Sequence, residues 1–112
     1  MTPRSLPHEF VQVQTTLDDQ ELAEELIRGA VECRLAACGQ ILGPVDSTYW
    51  WNGSMERATE WLCLFKTTVG LAGSLERWIA ERHPYEVPEI VVVPLAQVSA
   101  DYGEWIRNET EE

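Results

Sequence analysis

Positive charge is scarce in this chain. Nineteen Asp and Glu face eight Lys and Arg over 112 residues, for a formal net charge of −11. Such a surplus repels a phosphate backbone and argues against nucleic acid as a partner. Lys66 is the sole lysine. No apolar run reaches the roughly 20 residues that cross a bilayer, which argues against a membrane helix. Residues 1–9 hold one Arg and two Pro without an apolar stretch, and read as something other than a signal peptide. The cysteines number three, with no Cys-x-x-Cys or His-x-x-x-His spacing. That pattern argues against a disulfide framework or a closed metal site, and predicts reduced thiols in a cytoplasmic protein. Ser47, Ser54, Ser74 and Ser99 have no recognisable histidine partner, and no glycine loop of the phosphate-binding kind occurs. The chain is therefore read as a non-enzyme.

A hydrophobic content of 45% with five tryptophans argues against a disordered chain. The length suits one domain over 1–112, with 1–8 an N-terminal extension and 109–112 an acidic tail expected to fray. From Val11 to Thr15 apolar and polar residues alternate, predicting a first strand. Asp18 with Glu21 suggests a capping box opening a helix. Leu22, Leu26, Ala30 and Cys33 then line an apolar stripe ending near Arg34, with Cys33 expected in the core. Residues 40–51 are β-rich, bent at Gly43-Pro44, and Asn52-Gly53 is a strong hairpin signal returning the chain over 55–68. Leu71, Leu75, Trp78, Ile79 and Arg82 hold helical spacing up to Pro84. Pro88 and Pro94 delimit a four-residue apolar strand over 90–93. Ser99 would cap a final helix carrying Tyr102, Trp105 and Ile106 on one side. The order is βαββαβ plus a short C-terminal helix: an α+β, ferredoxin-like antiparallel sheet with two helices on one face and a long hairpin.

Strand parity predicts what covers the other face. Glu60, Leu62, Leu64 and Lys66 share one side, and Trp61, Cys63 and Phe65 the other. Two helices cover one face only, so Leu62 and Leu64, together with Ile90 and Val92, are assigned to an interface between copies. A hairpin of about 12 residues per strand spans roughly 40 Å, longer than a domain with a ~13 Å radius of gyration, so its tip with Trp50 should overhang and dock on a neighbour.

The strings Arg34-Leu35-Ala36-Ala37-Cys38, Ser47-Thr48-Tyr49-Trp50-Trp51-Asn52-Gly53, Lys66-Thr67-Thr68 and His83-Pro84-Tyr85-Glu86-Val87-Pro88-Glu89-Ile90, with Tyr102 and Trp105 after them, resemble the CutA divalent-cation-tolerance family. The match runs in order over about residues 10–107. The resemblance implies a ferredoxin-like homotrimer related in architecture to PII-type signalling trimers. It also implies a role in tolerance of, or response to, divalent metals such as copper, with weak metal binding and no required cofactor.

His83 is the candidate metal ligand, placed at a helix end beside Tyr85 and Glu86. Family members credited with copper binding carry a cysteine and a second histidine where this chain has Gln14 and Arg82, so a thiolate and an imidazole are missing. Tyr49, Trp51, Glu60, Lys66, Tyr85 and Glu86 are assigned to an inter-subunit cleft. There Lys66 serves either as an anion contact or, paired with a carboxylate or carbonyls, as an ion pair setting trimer register. The alternative to a metal role is a PII-like module binding a small ligand in those clefts and relaying it to a protein partner.

Overall fold

A computed structural model describes residues 8–110. Its elements are β1 (Phe10–Leu17), α1 (Gln20–Glu32), β2 (Cys38–Trp51), β3 (Ser54–Thr68), a 3₁₀ turn (Val69–Leu71), α2 (Ala72–Arg82), β4 (Ile90–Pro94) and α3 (Ala100–Asn108). The strands form one antiparallel sheet in the order β2-β3-β1-β4, the ferredoxin-like arrangement expected from the element order. Residues 1–7 of the expected extension, and 111–112 of the expected tail, lie outside the described residues.

Alternation in β1 and β3 separates the faces. Val11, Val13, Leu17, Cys63 and Phe65 are buried beneath α1 and α2, against Leu26, Ala30, Leu75 and Ile79. Burial pushes the Cys63 thiol up to about 11, so it stays a protonated core residue. The opposite side carries Gln12, Gln14, Leu62, Leu64 and Lys66, all partly covered. The third helix closes one end of that side: Ile106 packs with Phe10 and Ala37 in a second, smaller cluster. Gly103 makes this docking possible, since a Cβ there would stand 2.8 Å from the Phe10 ring. Ser99 caps α3 as expected, its hydroxyl accepting from Tyr102 N–H at 3.4 Å. Only Ile106 of the three expected packing residues is buried, while Tyr102 and Trp105 stack on each other and remain exposed.

The Asn52-Gly53 turn has φ of 52° and 81°, both left-handed, as a type I′ hairpin requires. The bend at Gly43-Pro44 is a register shift between Leu42 and Val45. Beyond it the ribbon runs past the sheet, because β1 pairs with β3 only from Trp61 to Thr68. The overhang gives a longest extent of 48 Å and a radius of gyration of 15.2 Å.

Four expectations are corrected. The cap of α1 is Asp19, whose Oδ1 accepts from Leu22 N–H at 3.1 Å; this shifts Glu21 to the second helical position, out of a capping box. Cys33 is exposed, because α1 ends at Glu32 and the chain turns away in a Schellman motif closed by Leu35 N–H to Ala30 O, with Arg34 at φ 67°. Glu109 is tied down by a 2.8 Å ion pair to Arg34. Finally, Val13 faces Val92 and Thr15 faces Ile90, so these β4 residues belong to the helix side, and Val91 and Val93 share the open side with Leu62 and Leu64.

Candidate functional site

Where α2 ends, Pro84 forces His83 out of the helical region, to φ −77° and ψ 134°. The imidazole folds back onto the end of β1. Its Nδ1 accepts from Tyr85 N–H at 3.2 Å, which leaves the proton on Nε2 to be donated to the Thr16 carbonyl at 2.9 Å. Both ring nitrogens are therefore used, and the side chain is 9% exposed. Burial lowers the His83 pKa, against smaller opposing effects of the Thr16 carbonyl and of Glu60 and Asp18.

Tyr85 packs edge-on against His83, and its hydroxyl donates to Glu60 Oε2 at 2.7 Å. Burial, with the Glu60 carboxylate adding to it, raises the Tyr85 pKa above the usual phenol range and keeps it a donor. Glu60 is itself 5% exposed, although it lies on the open side of the sheet. Across β1, Gln14 donates to Glu89 at 3.2 Å. These bonds pin residues 83–89 to the sheet.

The pinned loop and the hairpin enclose a cleft of about 760 Å³. Ser47, Thr48, Tyr49, Trp50 and Trp51 line it from β2, Ala58 and Glu60 from β3, Thr16 and Asp18 from the end of β1, and residues 85–89 from the loop. The structure thus brings Tyr49, Trp51, Glu60, Tyr85 and Glu86 around a cleft within one chain, whereas the sequence reading assigned them to a cleft between subunits. Trp50, assigned to an interface, also lines this cleft and is 73% exposed.

Lys66 stands apart. It lies six residues along β3 from Glu60, roughly 20 Å at strand spacing. Its Nζ donates to Gln40 Oε1 at 3.2 Å rather than to a carboxylate, because its cross-strand neighbours are Gln12 and Cys38. His83 does not line the cleft, and a metal there would have to displace one of its two backbone bonds. Arg82 stacks 4.2 Å above the Trp78 ring and bonds the Trp78 carbonyl, so neither it nor Gln14 is poised as a replacement ligand. Among the described residues, no group of three His, Cys, Asp or Glu is placed to hold a metal ion.

Sequence reasoning missed Thr16, Asp18, Ser47, Thr48 and Glu89 in the cleft. Strand parity could have supplied Ser47, which shares a face with Tyr49 and Trp51. Asp18 and Glu89 lie outside regular structure, where no periodic signal reaches.

Comparison with known proteins places this architecture. The family model for CutA1 divalent ion tolerance protein matches residues 11–109. The divalent-cation tolerance protein CutA of Thermus thermophilus is 38% identical over 98 residues, covering 88% of this chain and 95% of that one. Protein CutA of Homo sapiens is 36% identical over 109 residues, covering 97% of this chain and 59% of its own length. The chain likewise spans 59% of the mouse relative and 56% of the chloroplastic rice one. Among solved structures, CutA1 from Shewanella sp. SIB1 superposes with a TM-score of 0.91 at 29% identity, covering 96% of this chain and all of that one. CutA1 from Oryza sativa gives 0.90 at 30% identity, covering 95% and 97%. No helix of the described residues is long and apolar enough to cross a membrane. With a match that takes in the sheet, all three helices and the pinned His83 loop, the chain belongs to the CutA1 divalent ion tolerance protein family.

Proposed function

We propose that the chain works as a cytoplasmic homotrimer in the tolerance of, and response to, divalent metal ions. One observation carries the assembly: the open side of the sheet presents Leu42, Leu62, Leu64, Val91 and Val93 with only partial cover, flanked by unpaired outer edges of β2 and β4. Apolar surface in that arrangement is stabilised when sister chains cover it. Light scattering should return about 38 kDa, three times the chain mass of 12.7 kDa. A folded species at the single-chain mass would remove the proposal.

The metal role is one of weak contact. With both nitrogens of His83 engaged, copper or zinc would meet surface carboxylates and not a closed imidazole or thiolate site. Titration calorimetry with Cu²⁺ and Zn²⁺ should show weak heats that His83→Ala leaves unchanged. Tight stoichiometric binding abolished by that substitution would reinstate His83 as a ligand. Three free cysteines favour a reducing compartment, although related proteins are described as chloroplastic in rice and periplasmic in Archaeoglobus fulgidus. Cell fractionation decides this.

A second reading is favoured by the preformed cleft: a PII-like, non-enzymatic module that binds a small ligand and passes its state to a protein partner. Its volume falls in the range of small-molecule sites.

A further inference from the structure

We propose that the cleft between the hairpin and residues 85–89 takes a small organic cation, an amine or guanidinium compound with an aliphatic stem. This deepens the ligand-module reading and rests on it. Four carboxylates line the cleft, from Asp18, Glu60, Glu86 and Glu89, and among the described residues of the chain no Lys, Arg or His lines it with them. In a chain of net charge −11, that lining repels a nucleotide, a phosphate or a dicarboxylate.

Glu60 adds a pointed requirement. It is 5% exposed; Tyr85 donates to its Oε2, and no described hydrogen bond reaches Oε1. Oε1 is not a buried, unpartnered atom; it retains solvent access, through which a charged donor can reach it. Tyr49 and Trp51 lie on the same face of the ribbon as Glu60 and supply aromatic surface to the same cleft. Aromatic rings pack against the aliphatic stem of an organic cation, an apolar contact that a bare metal ion lacks. No three potential metal ligands converge among the described residues, which points the same way. An ammonium or guanidinium head on Glu60, with its stem against the rings, uses every one of these features.

Titration of the purified assembly with agmatine, spermidine and tetramethylammonium, followed by calorimetry and tryptophan fluorescence, tests this. Saturable binding of agmatine and spermidine is expected, at one site per chain, millimolar or tighter, and weaker at high salt. Glu60→Gln should weaken it about tenfold or more while keeping an acceptor for Tyr85. Tyr49→Ala, at an exposed position that does not support the core, should weaken it several-fold and carries the test should Glu60→Gln fail to fold. ATP and dicarboxylate anions should give no response. Cation binding that survives both substitutions, or no cation binding at all, overturns the proposal. Anion binding that Trp51→Ala removes would overturn the cation class and leave the ligand cleft standing, whereas silence across every probe would remove both.

Discussion

On the helix-covered side of the sheet, Val13, Cys63 and Phe65 have lost all contact with solvent, while across the same strands Gln14, Leu62 and Leu64 remain partly exposed. The two sides use the same backbone and alternate residues of it, so the contrast is not one of local conformation. It is a contrast of what arrives from elsewhere in the chain. α1 and α2 close the centre of one side, leaving Val92 at the β4 edge exposed; α3 reaches only the Phe10 end of the other. Beyond the reach of either layer, the overhanging ribbon and the pinned His83 loop form the cleft. Stability is concentrated on the covered side, and the surfaces available for assembly and binding lie on the other.

Truncating each side in turn is the direct way to break this contrast. Phe65→Ala should be the most damaging, at about 3–5 kcal/mol, because it opens a cavity beneath two helices. Chemical denaturation measures it, and a loss below ~1 kcal/mol would show that the covered side is not the main core. Leu64→Ala should cost less, about 1–3 kcal/mol, and, on the proposed assembly, make the melting temperature depend on protein concentration, since its cover within one chain is only partial. A loss equal to that of Phe65→Ala and independent of concentration would show the open side closed within one chain.

The loop that borders the cleft can be probed by pH. The His83 pKa is lowered by burial, so the fold favours the neutral ring whose Nδ1 accepts from Tyr85. The unfolded chain then binds the proton more readily, and stability rises with pH in this range. The His83 contribution should be complete above the ordinary value of 6.5 and be lost as pH falls below it. Denaturation curves of wild type and His83→Phe compared between neutral and mildly acid pH should differ by this slope; identical slopes would count against it. The smallest effect belongs to the hairpin tip. Gly53→Ala forces a Cβ into φ 81° at a cost of about 1–2 kcal/mol, with open space around it. Because the tip lies far from both packed clusters, denaturation should stay a single cooperative transition with only its midpoint lowered; a second, separate transition would show the ribbon unfolding by itself.

Much of the fold was legible because its signals are short-range. Alternation identified β1 and β3, helical spacing identified α1 and α2, and Asn52-Gly53 announced the turn. The proline pair around Ile90 to Val93 delimited β4 but could not orient it. Four apolar residues in a row carry no period of two, and a slip of one residue exchanges the faces. That is why Ile90 and Val92 were placed with Leu62 and Leu64, when pairing with β1 puts Val91 and Val93 there. Cys33 was misplaced for a related reason: the apolar stripe continued in the sequence after the helix had ended.

The candidate site divides along the same line. Tyr49, Trp51, Glu60, Tyr85 and Glu86, expected in a cleft between subunits, line a cleft within one chain, while Lys66, which shares the parity of Glu60, lies far along the strand. Whether His83 was free to bind a metal could not be read from its neighbours in the chain. The answer lies with the Thr16 carbonyl, 67 residues away. Residue types and their local spacing therefore settled the elements, their order and the sparsely covered sheet face, since each depends on neighbours a few positions apart. Which face β4 presents, which carboxylates meet in the cleft, and how the imidazole is occupied were settled only when distant segments packed together, because burial and hydrogen-bond partners arise from contacts that no local period encodes.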